Sequence, residues 1–186
     1  MRFSSPLPAL KSFLRNQSAV SALEFAMILP IMVTLYLGGT EVGTGLTLNR
    51  KVTEVTSTMA DLVTQSTGLP NADISNIFDA ASSIVAPYDA TPLTLKVSEI
   101  IIDATGKATV EWSQGRNTAP DAGGSTVSLP AAVATPSTWV IMSEVHYTYK
   151  PVIGYVMTGT YDLSDKFYLR PRLSNSICQP TCPPGG

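Results

Sequence analysis

Residues 19–39 read Ala-Val-Ser-Ala-Leu-Glu-Phe-Ala-Met-Ile-Leu-Pro-Ile-Met-Val-Thr-Leu-Tyr-Leu-Gly-Gly, an apolar run whose one charge is Glu24. A helix needs about 20 such residues to cross the hydrocarbon of a bilayer. The segment before it, residues 1–18, holds Arg2, Lys11 and Arg15 and no acid. Positive charge gathers on the cytoplasmic side of membrane proteins, so this order predicts a cytoplasmic N-terminus and the bulk of the chain outside. Pro30 removes one helical hydrogen bond and is expected to kink the helix, which membrane helices tolerate.

Three readings compete for the segment. As a secretory signal it has the basic start and apolar core, but Glu24 interrupts the core and no good A-x-A site follows. As a plain anchor it leaves Glu24 without a purpose. A carboxylate inside such a helix costs on the order of 3 kcal/mol, so an intramembrane Glu is a functional hypothesis by default. The third reading gives Glu24 a partner.

The run Ala19-Val20-Ser21-Ala22-Leu23-Glu24-Phe25-Ala26-Met27-Ile28-Leu29-Pro30 resembles the N-terminus of TadE-like proteins, minor pseudopilins of the tight-adherence (Flp-type) pilus machinery. That family carries a small residue, four small or apolar residues, Glu-Phe, an apolar helix, and usually a Pro six residues after the Glu. Glu24, Phe25 and Pro30 keep the spacing. Tyr147-x-Tyr149-x-Pro151 and Arg170-Pro171-Arg172 are looser echoes. The resemblance implies cutting by a prepilin peptidase between Ala19 and Val20, with Ala19 standing where the family usually has Gly. Glu24, one turn from the new amine on Val20, would neutralise the amine of a neighbouring subunit. Implied partners are the major Flp-type pilin, other minor pseudopilins, the inner-membrane assembly platform and membrane lipid. No cofactor is implied.

Periodicity supplies the rest. Leu48, Val52, Val55, Met59, Leu62 and Val63 recur at three- and four-residue steps, and Gly68 with Pro70 stops the pattern. One long helix over about 20–66 is predicted, loosened near Gly38, Gly39, Gly43 and Gly45. A second helix starts with Asn71 as N-cap and turns Ile74, Ile77, Phe78, Ala81, Ile84 and Val85 to one side. After Pro92 the period becomes two. Leu93, Leu95 and Val97 open a strand to about Ile102, and Asp103-Ala104-Thr105-Gly106-Lys107 reads as a hairpin turn. Ala108, Val110 and Trp112 are expected on one face of the return strand. Residues 114–137, rich in Gly, Pro, Ala and Thr, are expected as a long surface loop of the kind that often binds. A third strand carries Trp139, Ile141, Val145, Tyr147 and Tyr149 on one face, and a last one is expected around Lys166–Arg170 with Phe167 and Leu169 inward.

The expected fold is α+β and pilin-like in outline. Its parts are a leader (1–19), a transmembrane helix (20–40), an amphipathic periplasmic helix (41–67), a periplasmic domain (68–177) and a Cys/Pro-rich tail (178–186).

Composition narrows the function. Twelve Lys+Arg against 14 Asp+Glu, a pI near 5.3 and no basic run remove the footprint nucleic-acid binding needs. Two cysteines and one histidine cannot close a structural zinc site, so no metal is expected. Cys178 and Cys182 read as a short disulfide if the domain is periplasmic. Glu144 and His146 share a strand face, but no motif brings a nucleophile or third ligand to them. The aromatic face of Trp139, Tyr147 and Tyr149 reads as core. The chain therefore reads as a non-enzymatic pseudopilin of the inner membrane. The alternative is a secreted or anchored periplasmic binding module whose N-terminus is only a signal.

Overall fold

The computed structural model describes residues 17–152, 154 and 157–180, with side chains from Val20 onward. Among the described residues two helices precede four strands: α1 (Gln17–Thr64), α2 (Asn71–Ser83), β1 (Leu93–Ile102), β2 (Ala108–Arg116), β3 (Thr138–Tyr149) and β4 (Tyr161–Leu169). The strands form one antiparallel sheet in the order β2-β1-β3-β4. The class is α+β, as the change of period from 3.6 to two requires. The chain divides into two compact units, one of residues Met1–Gly43 with Pro151–Gly159, the other of Thr44–Lys150 with Thr160–Gly186.

In the larger unit the stripe of α1 is the core-forming face. Leu48, Val52, Val55, Met59 and Val63 are at most 1% exposed, as are Leu93, Leu95 and Val97 of β1 and Ile141 and Val145 of β3. Two smaller contacts mark where helices meet sheet. A Cβ on Gly45 would touch the Tyr149 ring at 3.4 Å, and the Arg116 guanidinium of β2 lies 5.5 Å from the Phe78 ring centre of α2. Arg116 also pairs with Asp79 at 2.6 Å, so its charge keeps a partner while its stem covers the aromatic ring. Asn71 is the first residue of α2 rather than its cap. Pro70 takes the cap position with no side-chain bond, its carbonyl accepting from Asp73 N–H at 3.0 Å and Ile74 N–H at 3.2 Å.

Three expectations change in the sheet. Trp112 does not share a face with Ala108 and Val110. The pairing steps from Glu99↔Trp112 to Ile100↔Val110, so Glu111 is an extra residue, a β-bulge that moves Trp112 to the helix-covered face beside Glu99. The long connection begins after Arg116, and it is a cover more than a free surface loop. Val127 and Leu129 pack on Ile100, Ile102, Ala108, Val140 and Met142, a second core on the outer sheet face. Val110 N–H donates to Ser125 O at 2.9 Å and Val127 N–H to Ala108 O at 3.0 Å, which closes half the β2 edge. The last strand starts at Tyr161, earlier than expected, because Asp162, Ser164 and Asp165 hide its alternation.

Candidate functional site

The apolar half of α1 comes first because it carries the one motif with specific chemistry. From Val20 to Tyr36 every side chain is exposed, including Leu23, Phe25, Ile28 and Leu35 at 52–70%. A water-soluble helix would bury such a face, and this one is long and apolar enough to cross a membrane, with a mean hydropathy of 1.9. The Ala19–Val20 bond lies in the first turn of α1, and Glu24 is exposed one turn on, about 6 Å along the axis. No Lys or Arg occurs between residues 16 and 49, nor between 151 and 159, so the described part of this unit offers Glu24 no countercharge. The helix continues through Pro30, whose carbonyl accepts a hydrogen bond from Thr34 Oγ1 at 2.8 Å. Residues 1–16, most of the leader, lie outside the described residues.

A second acid of α1 went unread in the sequence. Glu41 is 4% exposed, and its carboxylate accepts from Gly154 N–H at 2.5 Å and Met157 N–H at 3.0 Å. The signal was available: apart from Glu24, Glu41 is the only charge from residue 16 to 49, and a charge in such company needs a reason.

In the larger unit, Glu144 and His146 do come together, but within a satisfied network. Glu144 pairs with Lys96 at 2.9 Å, Lys166 at 2.7 Å and His146 at 3.2 Å. Lys96 also reaches Asp121 of the long connection at 2.9 Å, and His146 reaches Asp162 at 3.1 Å. The register dictates this. Lys96↔Glu144 and Glu144↔Lys166 are cross-strand partners, with His146↔Ser164 one pleat on. Burial works to raise the Glu144 carboxyl, but Lys166, Lys96 and His146 outweigh it and bring it to about 2. Burial likewise lowers His146, and Asp162 and Glu144 overcome it, so the imidazole is raised above its ordinary value. Each acid of the cluster faces a basic side chain, an arrangement that ties β1, β3, β4 and the long connection together.

Glu99 is another buried acid, held by neutral donors. It is 1% exposed; Oε2 accepts from Trp112 Nε1–H at 2.8 Å and Oε1 from Ile177 N–H at 2.7 Å. Trp112 Nε1–H is shared with Ile177 O at 2.7 Å. Burial drives the Glu99 carboxyl up, the two donors hold it down in part, and the outcome is about 7. This latch fastens the C-terminal segment under the sheet, with Leu69 N–H donating to Cys178 O at 2.9 Å and Cys178 N–H to Thr67 O at 3.2 Å. Cys182, the expected partner of Cys178, lies outside the described residues. Tyr147 and Tyr149 are buried as core, the Tyr147 hydroxyl donating to Asp89 O at 2.9 Å, and Trp139 is half-buried.

Residues 19–61 match the sequence pattern of the family described as TadE-like protein. No curated protein and no solved structure matches the chain. The matched span covers the apolar run with Glu24 and most of the amphipathic stripe, and stops before α2 and the sheet.

Proposed function

We propose that the chain is a non-enzymatic minor pseudopilin of a tight-adherence type pilus system, held in the inner membrane by α1 with its N-terminus cytoplasmic and its bulk periplasmic. The observation that supports this best is a lone exposed carboxylate, Glu24, on an apolar helix whose sequence matches the TadE-like pattern. A prepilin peptidase would cut between Ala19 and Val20, freeing an amine one helical turn from Glu24. In hydrocarbon, a carboxylate and an amine on neighbouring subunits each relieve the other's burial cost. That pairing would set the axial register of one helix against the next, with Phe25 packing beside it. The neighbours would be the major Flp-type pilin or other minor pseudopilins, brought together at the inner-membrane assembly platform. Pro30 would kink the helix below its midpoint, and Cys178 with Cys182 would close a small disulfide loop that ties down the tail.

The test pairs two measurements on the protein in its own host. Intact mass and N-terminal sequencing should show a chain that starts at Val20. Glu24→Ala should then leave processing and membrane insertion unchanged while lowering surface piliation at least tenfold, with Glu24→Asp intermediate. A chain starting near Thr40, or normal piliation from the Glu24→Ala protein, would overturn the proposal and favour a released or anchored binding module.

A further inference from the structure

The connection between β3 and β4 carries no charge from Pro151 to Tyr161, and most of Pro151-Val152-Ile153-Gly154-Tyr155-Val156-Met157 is apolar. Connections over a water-facing surface are ordinarily polar, and exposed apolar patches mark something that covers them. Val152 is 97% exposed, more than any other large hydrophobic residue described. The strap is nevertheless held at its middle. The two side-chain oxygens of Glu41 accept from Gly154 N–H at 2.5 Å and from Met157 N–H at 3.0 Å, where Glu41 is 4% exposed. Residues 151–159 belong to the same compact unit as the apolar half of α1.

The height of that attachment along α1 decides what the strap meets. A helix entering the hydrocarbon at Val20 and rising 1.5 Å per residue has climbed about 31 Å at Glu41, and the hydrocarbon is about 30 Å thick. Glu41 therefore sits where α1 leaves the bilayer. We infer that Val152 and Met157 of the β3–β4 strap rest in the interfacial layer of the outer leaflet, held there by Glu41, so that the chain meets the membrane at a second place beside its spanning helix. Lipid is the occupant because the strap is continuous with the spanning unit and wholly uncharged.

This inference rests on the spanning role proposed for α1, and the experiment separates the two. The full chain with Cys178 and Cys182 replaced by Ser, and Val152→Cys carrying an NBD fluorophore, is reconstituted in phosphatidylcholine–phosphatidylglycerol vesicles. Leu35→Cys, in the apolar run, is labelled in parallel. Retention of the unaltered chain's circular dichroism shows that the background folds. The label at 152 should be quenched at least twofold by nitroxide lipid and be at least threefold less accessible to iodide than free dye. Quenching by iodide as fast as free dye would overturn the inference, and so would protection from both quenchers, which would mean a protein neighbour. If the label at 35 is also reached by iodide, the spanning role itself fails. Adding Glu41→Ala should at least double iodide access at 152 while leaving position 35 unchanged. No change at 152 would overturn the holding role of Glu41.

Discussion

Glu99 predicts a pH dependence opposite to that of most folded carboxylates. Its carboxyl is about 7 in the folded chain against an ordinary 4.5, so the folded state binds the proton more tightly than the unfolded one. Stability from this group is therefore complete below about pH 4.5 and falls as pH rises through about 7. With about 1.4 kcal/mol per pH unit, the loss between about pH 5 and about pH 8.5 is roughly 2.5 kcal/mol. Glu99→Gln removes the titration. The amide keeps one acceptor where Trp112 Nε1–H and Ile177 N–H each use an oxygen, so the variant should be weaker by about 1 kcal/mol near pH 5. Near pH 8.5 it should match or exceed the unaltered chain. Urea unfolding of the full chain in micelles, followed by the fluorescence of Trp112 and Trp139, reads the difference directly. At a slope of about 2 kcal/mol/M the difference in midpoint should shift by about 1.2 M across that range, from about 0.5 M in favour of the unaltered chain to about 0.7 M in favour of the variant. A gap between the two proteins that stays constant with pH would refute burial of an ionisable Glu99 as the cause.

Further outcomes at three residues follow from particular contacts. Glu144, depressed to about 2, contributes stability that is present above about pH 4.5 and lost as pH falls toward 2; acid unfolding followed by circular dichroism should show Glu144→Gln losing much less over that interval than the unaltered chain. At neutral pH the same variant should be about 2 kcal/mol less stable in urea, since Lys96 and Lys166 lose their shared carboxylate. Gly115→Ala should cost about 1–3 kcal/mol by urea midpoint, because the added Cβ would lie 2.5 Å from the Thr118 carbonyl oxygen. Val127→Ala should cost about 1 kcal/mol by urea midpoint and speed amide exchange at Val110, whose N–H the same connection covers.

Local pattern carried much of the fold. The apolar run at 19–39 with one acid marks a helix long and apolar enough to cross a membrane. The stripe from Leu48 to Val63 and the alternation from Leu93 declare their elements because the helical and strand periods are properties of the backbone. The turn at Asp103–Lys107 is equally local: Asp103 Oδ1 accepts from Thr105 N–H at 2.8 Å and Lys107 N–H at 2.9 Å, and Gly106 takes φ +85°.

What tertiary structure alone decided depends on partners far along the chain. The bulge at Glu111 is a mismatch between two strands, so neither strand reveals by itself that Trp112 changes face. The cover over Ile100 and Ile102 comes from Val127 and Leu129, scattered among loop residues, although two apolar faces on β1 and β3 were a sign that something had to cover them. Glu99 stood in the sequence as an acid on an apolar face. Its reason is Ile177, 78 residues away. Glu41 stood alone in an uncharged stretch, and its reason is Gly154, 113 residues away. A sequence shows that a buried charge needs satisfying, because that cost is local. Which distant backbone N–H satisfies it is settled only when the chain folds.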